Sequence, residues 1–262
     1  PDDPRNTLFC EFLRATKLIQ PNYIIGENVK GLRSRKTSSN EFFITIIQNE
    51  FEKLGYDIHI KLMKCNLHGI PQNRQRLIIV GIKKELNQSF KFPEEQEGNL
   101  NLKGIIEFSM EGSLKIKKDD FDMKTIPDEC ILTNLENDEE ENEPHPNLKL
   151  LAKQKNFEYN NKIFPTRIHF GKRIPVGGEI IDIRKPINTI ICTYSRQPRF
   201  FIPQQNKNGY YLRCLLPNEL KQIQGFPKDY KINGDKIKQI IQIGNAVPPP
   251  LIELIIHNLI NV

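Results

Sequence analysis

The sequence predicts an α/β fold with a doubly wound sheet, interrupted by a smaller irregular domain. Three observations carry this. Residues 7 to 83 switch between helix-period and strand-period hydrophobic patterns in the order helix, strand, helix, strand, strand, the back half of such a sheet. From about 84 to 205 that order breaks down into Pro, Asn, Lys and acidic residues with short apolar runs. At 215 a regular helical pattern returns. With 262 residues, the chain is long enough to bury a substantial core.

Each element follows from local chemistry. Asn6 or Thr7 can cap a helix over LFCEFLRATKLI, which ends before Pro21. Cys10 lies inside that apolar pattern and reads as core. NYIIGENV reads as a buried strand of the parallel type. RSRKTSSN is a polar, basic loop. A second helix runs from about 40 to 54, with Ser39 as its cap; Phe43, Ile47, Phe51 and Leu54 form a stripe and Gly55 ends it. YDIHIKLM alternates with period two, and LIIVGI is the third strand. RKPINTIICTYSRQPRFFIP is the best strand candidate of the irregular region. LLPNELKQIQGFP reads as a helix opened by Pro217 and stopped by Gly225. The end reads as a short helix, a turn at Gly244 and Asn245, and a final amphipathic helix.

Composition narrows the class. Hydrophobic content of 38% with 27% charged residues describes a globular chain, and no apolar run approaches the roughly 18 residues of a spanning helix. The start shows no signal-peptide pattern. Five scattered cysteines without a Cys-x-x-Cys pair argue for reduced thiols and against structural zinc, so no metal is expected and the cytoplasm is the default location. The net charge of +6 is uneven: residues 136 to 143, ENDEEENE, hold six acids, and without them the rest carries +12. A basic body with one acidic loop suits a polyanionic partner.

Glu27 raises a specific question, because a carboxylate at the end of an apolar strand costs solvation unless it is paired or used. Three segments bear on it: GENVKGL at 26 to 32, GIPQNRQRLIIVG at 69 to 81, and QGFPKDY with QIGNAVPPPL near the end. In this order they resemble the DNA (cytosine-5) methyltransferase family, over about residues 1 to 83 and 186 to 257. The resemblance implies a Rossmann-like methyltransferase sheet split by a target-recognition domain. Residues 1–83 would then form a partial catalytic domain, 84–205 the recognition domain with the acidic loop, and 206–262 the return to the catalytic domain.

It also implies roles. In this family a Cys thiolate adds to C6 of a flipped cytosine, which makes C5 nucleophilic toward S-adenosylmethionine. Charge then builds toward N3 and O2, where a carboxyl group and an arginine can act. By resemblance Glu27 is the N3 partner, Arg76 meets the base, and Arg74 supports the same site or a phosphate. Asn28 fixes the turn, and Gln72 belongs to the arginine block. Asn245 and Ala246 lie against S-adenosylmethionine; many members have Ser where Ala246 stands, so one side-chain donor is missing. The usual Arg before Glu219 is Asn218 here, and the block around Glu219 reads as structural. Arg196 and Arg199 with Tyr194, Phe200 and Phe201, and Arg167 with Arg173, His169 and Lys172, suit phosphate or base contacts in double-stranded DNA. Gly177 and Gly178 would allow close backbone approach to DNA.

Two family features are missing from these 262 residues: a Gly-rich cofactor loop and a Pro-Cys nucleophile, since no Cys follows a Pro. DDPRNTLF resembles the segment after the Pro-Cys block. The expectation is a portion of the enzyme, inactive alone, partnered by a polypeptide that carries the missing elements. The alternative is a non-catalytic, methyltransferase-like DNA-binding or regulatory subunit. A tRNA substrate belongs to another branch of the same family; the long insert favours duplex DNA.

Overall fold

The computed structural model describes residues 8–98, 100–117, 126–136, 143–146, 148, 158–159, 162–163 and 178–260. The fold is mixed α/β, in two compact units. One comprises residues 1–68, 74–96 and 250–262; the other comprises 69–73 and 97–249. These units divide the chain differently from boundaries at 83 and 205: residues 84–96 belong with the first, and 206–249 with the second.

The first unit holds helices α1 (Leu8–Ile19) and α2 (Phe43–Lys53) and strands β1 (Tyr23–Val29), β2 (Tyr56–Lys64) and β3 (Gln75–Lys83). The expected order of helices and strands is present. The strand direction differs from expectation: the sheet order is β1-β3-β2, and β3 runs antiparallel to both neighbours. β1 is also not buried throughout. Ile24 is enclosed, while Glu27, Asn28 and Val29 are exposed. The physical reason is position, because β3 is the central strand and carries the continuous buried run Leu77–Ile82, whereas β1 is an edge among the described residues. Ile24, Ile47, Phe51, Tyr56 and Ile79 form the core of this unit, with Phe9, Phe12, Leu13 and Leu32 packed against it.

Two local expectations are corrected. Helix α2 begins at Phe43, not near 40, and Ser39 is no cap: its hydroxyl bonds Thr37 Oγ1 at 2.8 Å. Gly55 does end the helix, at φ +90°, a conformation that costs glycine little. Cys10 is exposed, because α1 turns Phe9, Phe12 and Leu13 inward and Cys10 outward.

The second unit is built on a five-stranded sheet. β9 (Phe200–Asn206) and β10 (Gly209–Cys214) form a hairpin, and β4 (Leu114–Ile116) adds to β10. β5 (Leu132–Asn134) and β8 (Glu179–Ile180) both pair in parallel with β9. A separate two-stranded ribbon joins β6 (Glu158–Tyr159) to β7 (Lys162–Ile163). Of the predicted strand RKPINTIICTYSRQPRFFIP, only residues from Phe200 onward are strand; Cys192–Ser195 form a 3-10 turn. The hairpin turns at Lys207 and Asn208, and Gly209, at φ +132°, opens β10; this Asn-Gly step is a local turn signal that sequence reasoning did not use.

Helices α3 (Pro217–Ile223) and α4 (Lys236–Asn245) also belong to this unit, and α5 (Pro249–Ile260) follows. Pro217 opens α3 as expected, and Glu219 caps it by accepting from Leu216 N–H at 2.7 Å. Gly244 and Asn245 are not a turn. They form the last turn of α4, and the break comes at residues 246–248. Gly244 is required by close packing, since a Cβ there would lie 2.4 Å from the backbone nitrogen of Cys192. The stretch Lys236–Ile260 has the length and apolar content of a membrane span, but that break divides it into two helices.

Candidate active site

The register of β1 on β3 brings the first candidate pair together. Glu27 faces Ile78, and Val29 faces Arg76. Residues two apart share a sheet face, so Glu27 and Arg76 are diagonal neighbours on one face. Diagonal positions lie roughly 7–8 Å apart, within reach of two long side chains. Arg76 Nε lies 2.5 Å from Glu27 Oε1. The contact is off the Nε–H direction, so it is an ion pair rather than a hydrogen bond. The guanidinium donates through Nη1 to the carbonyl of Gln75 at 2.9 Å, and its Nη2 makes no hydrogen bond among the described residues. The Glu27 side chain is 28% exposed and that of Arg76 13%. Pairing therefore offsets the cost of placing Glu27 there, and the pair still faces solvent.

Arg74 lies just before β3 and has no exposed surface. Its carbonyl accepts from Cys65 N–H at 2.8 Å, which extends the β2–β3 ladder by one residue and keeps Arg74 on the face of Arg76. Cys65 feels both guanidinium charges and Glu27, yet burial dominates and pushes its thiol up to about 11. Cys65 is fully buried and protonated at neutral pH, so it is no thiolate. Burial likewise raises Cys130 to about 11, helped by Asp182, and Cys214 to about 12. Asn28 is exposed, and its Oδ1 accepts from Val29 N–H at 2.8 Å, steadying the exit from β1.

The remaining candidates belong to the second unit. Gln72 is fully buried and structurally committed: its Oε1 accepts from Ile190 N–H at 3.0 Å, and its Nε2 donates to Gln224 Oε1 at 2.6 Å. Gln224 in turn donates to the carbonyl of Ala246 at 2.7 Å. Asn245 is exposed, and its side-chain amide makes no hydrogen bond among the described residues. That amide, a donor and an acceptor together, fits the polar groups of S-adenosylmethionine; Ala246 brings only backbone.

Arg196 is exposed at the end of the 3-10 turn. Arg199 lines an open cleft of about 350 Å³ with Gly178, Glu179, Asn188, Thr189 and Phe200. The aromatics expected to meet a base are core instead: Tyr194, Phe200 and Phe201 are at most 3% exposed. Gly178 serves that core, because a Cβ would fall 2.1 Å from the Phe201 ring. Arg167, His169, Lys172, Arg173 and Gly177 lie outside the described residues, as does most of the acidic loop.

Sequence reasoning missed Arg213. It is fully buried on β10, and all five of its N–H groups are used: on Gln204 Oε1, the carbonyls of Cys214 and Glu107, and both oxygens of Glu219. The only signal was an arginine in the apolar alternation YYLRC, six residues before a glutamate.

Known proteins resemble this chain in sequence and in fold. The chain is 31% identical to the Type II methyltransferase M1.HphI of Haemophilus parahaemolyticus, over 97% of this chain and 60% of that protein. It is 29% identical to M.FnuDI of Fusobacterium nucleatum, over 97% of this chain and 69% of the relative. The chain thus spans about two thirds of the length of these relatives. Among solved structures, the Entamoeba histolytica methyltransferase EhMeth superposes with a TM-score of 0.61 at 17% identity, over 99% of this chain and 70% of that one. A putative DNA modification methyltransferase from an Escherichia coli prophage gives 0.62 at 19% identity, over 99% and 75%. S-adenosylmethionine is the methyl donor of such enzymes. The description of the matching family is C-5 cytosine-specific DNA methylase, it covers residues 1–261, and the chain belongs to that family.

Proposed function

We propose that the chain supplies the base-activating part of a DNA (cytosine-5) methyltransferase acting on a flipped cytosine in duplex DNA. The observation that carries this is the Glu27–Arg76 pair, solvent-facing and with guanidinium N–H groups still to spare. Glu27 would share a proton with N3 and Arg76 would stabilise charge at O2 while a thiolate adds to C6. Bound S-adenosylmethionine supplies the methyl group; Asn245 would hold it in part.

The thiolate and the Gly-rich cofactor loop would come from sequence outside these 262 residues, whether in the same polypeptide or a separate one. Two features support this. Cys65, Cys130 and Cys214 are held as thiols. The second edge of β1 has no partner strand among the described residues, and Leu8, Leu18, Ile19 and Val29 are 55–73% exposed nearby in sequence. A cytoplasmic location goes with this reading.

The test is reconstitution. The chain is mixed with a polypeptide carrying the missing blocks of a relative, and methyl groups from labelled S-adenosylmethionine are followed into duplex DNA. Transfer to C5 that is lost in Glu27→Gln supports the proposal. Duplex binding without transfer in any combination would replace it with a non-catalytic DNA-binding subunit.

A further inference from the structure

We infer that the segment after Glu27, residues 30 to 36, is a preformed grip on the phosphates of duplex DNA. This rests on the DNA reading above and names residues which that reading did not use. KGLRSRK carries four cations, Lys30, Arg33, Arg35 and Lys36, and no acid; the next acid is Glu41. All four are exposed. Among the described residues none forms a salt bridge, and Lys30 and Arg33 make no side-chain hydrogen bond.

A run of charge is often just a solvated loop, so rigidity decides the reading. Leu32, in the middle, packs against the core of the first unit and pins the 3-10 turn Lys30–Ser34. Ser34 donates to the carbonyl of Gly31. Downstream, Phe43 N–H bonds the carbonyl of Arg35 at 3.0 Å, and Lys36 bridges Phe42. The guanidinium of Arg35 sits over the Phe43 ring at 5.7 Å, and Lys36 Nζ sits over Phe42 at 4.5 Å. Asn40, at φ +66°, closes the loop and accepts from Lys36 Nζ. The backbone is fixed from both sides, and no carboxylate among the described residues pairs with the four exposed charges.

The place is informative too. Lys30 is three residues past Glu27, about 10 Å at the rise of a strand. Charges there would meet the backbone next to a nucleotide whose base reaches Glu27. Phosphates are the natural ligand because they need point charges on a fixed frame and carry no sequence information. With Lys36 Nζ engaged by Asn40, the other three, Lys30, Arg33 and Arg35, would neutralise about three phosphates, and each neutralised phosphate adds about 0.9 to the slope of log affinity against log salt.

The experiment measures affinity of the full chain for a duplex across a salt series. The triple variant Lys30→Gln, Arg33→Gln, Arg35→Gln should lower the slope by roughly 2–3, equally for unrelated duplex sequences. A control with the same charge change at exposed Lys17, Lys84 and Lys231 should lower it by less than one. Arg33→Lys and Arg35→Lys together should keep the slope, since phosphate contact tolerates a point charge. Equal slopes for the triple variant and its control overturn the grip and leave the DNA reading standing. Loss confined to single-stranded RNA also overturns it. Absence of any salt-dependent duplex binding by the unsubstituted chain overturns the DNA reading itself, and the grip with it.

Discussion

Two Arg–Glu pairs, one in each unit, show what burial does to the same chemistry. Arg213 and Glu219 meet through two short bonds, at 2.6 and 2.8 Å, with side chains 0% and 6% exposed. Every guanidinium N–H is used, and Glu219 also caps α3. Arg76 and Glu27 make one close contact off the hydrogen-bond axis, beside solvent, with donors unspent. A saturated pair fixes structure and can do nothing else. An unsaturated one can change partners, as the base-activating role proposed for it requires.

The largest expected effect breaks the saturated pair. Arg213→Met leaves Glu219 buried without its countercharge and should cost about 3–5 kcal/mol. Chemical denaturation of the whole chain would read this as a lower midpoint at an unchanged slope. Next comes the packing around the same unit. Gly244→Ala puts a Cβ against the backbone at Cys192, which cannot swing aside as a side-chain tip would, and should cost about 1–3 kcal/mol. A melting temperature unaltered by Gly244→Ala would mean that α4 has room to move there.

The unsaturated pair should respond the other way. Glu27→Gln should change stability by no more than about 1 kcal/mol, because the pair is partly solvated. In the reconstituted enzyme the same change should lower methyl transfer by about 10²–10⁴-fold, the usual worth of a positioned proton donor. Equal losses of stability in Glu27→Gln and Arg213→Met would erase the contrast between the pairs.

Legibility in the sequence followed the same division. Glu27 and Arg76 were named because ENV and QNRQR resemble blocks of a known family; that the two side chains meet depends on the register of β1 on β3, which no local motif reports. The helix–strand order of residues 8–83 was readable because each element keeps its own hydrophobic period. Strand direction was not, since a hydrophobic run reports burial and not the sense of its neighbours; β1 is half-exposed and antiparallel to β3. Gly244 looked like a turn because a glycine serves both φ and close approach, and only the Cys192 backbone opposite it separates the two. Tyr194, Phe200 and Phe201 looked like a base platform because aromatic residues suit both a core and a nucleic acid. Arg213 was invisible because the partners that satisfy it come from residues 107, 204, 214 and 219, and no local pattern announces such a convergence.

The smallest expected effect probes a third ion pair, intermediate between those two. Asp182 accepts from Arg184 Nε at 2.8 Å and from Arg184 N–H at 3.0 Å, and Arg184 also reaches Glu129. The Arg184 bond first of all, with its charge, holds the Asp182 carboxyl down to about 2. An unfolded aspartate titrates near 3.9, so on acidification the unfolded chain takes up this proton first. The stabilisation is complete above about pH 4 and is lost as pH falls from there toward 2. Because the Arg184 side chain is 38% exposed, solvent screens the pair and the loss should be modest. Asp182→Asn should flatten the fall in stability between pH 4 and 2. An acid profile that is the same with and without Asp182 would show that Arg184 is satisfied by Glu129 and water alone.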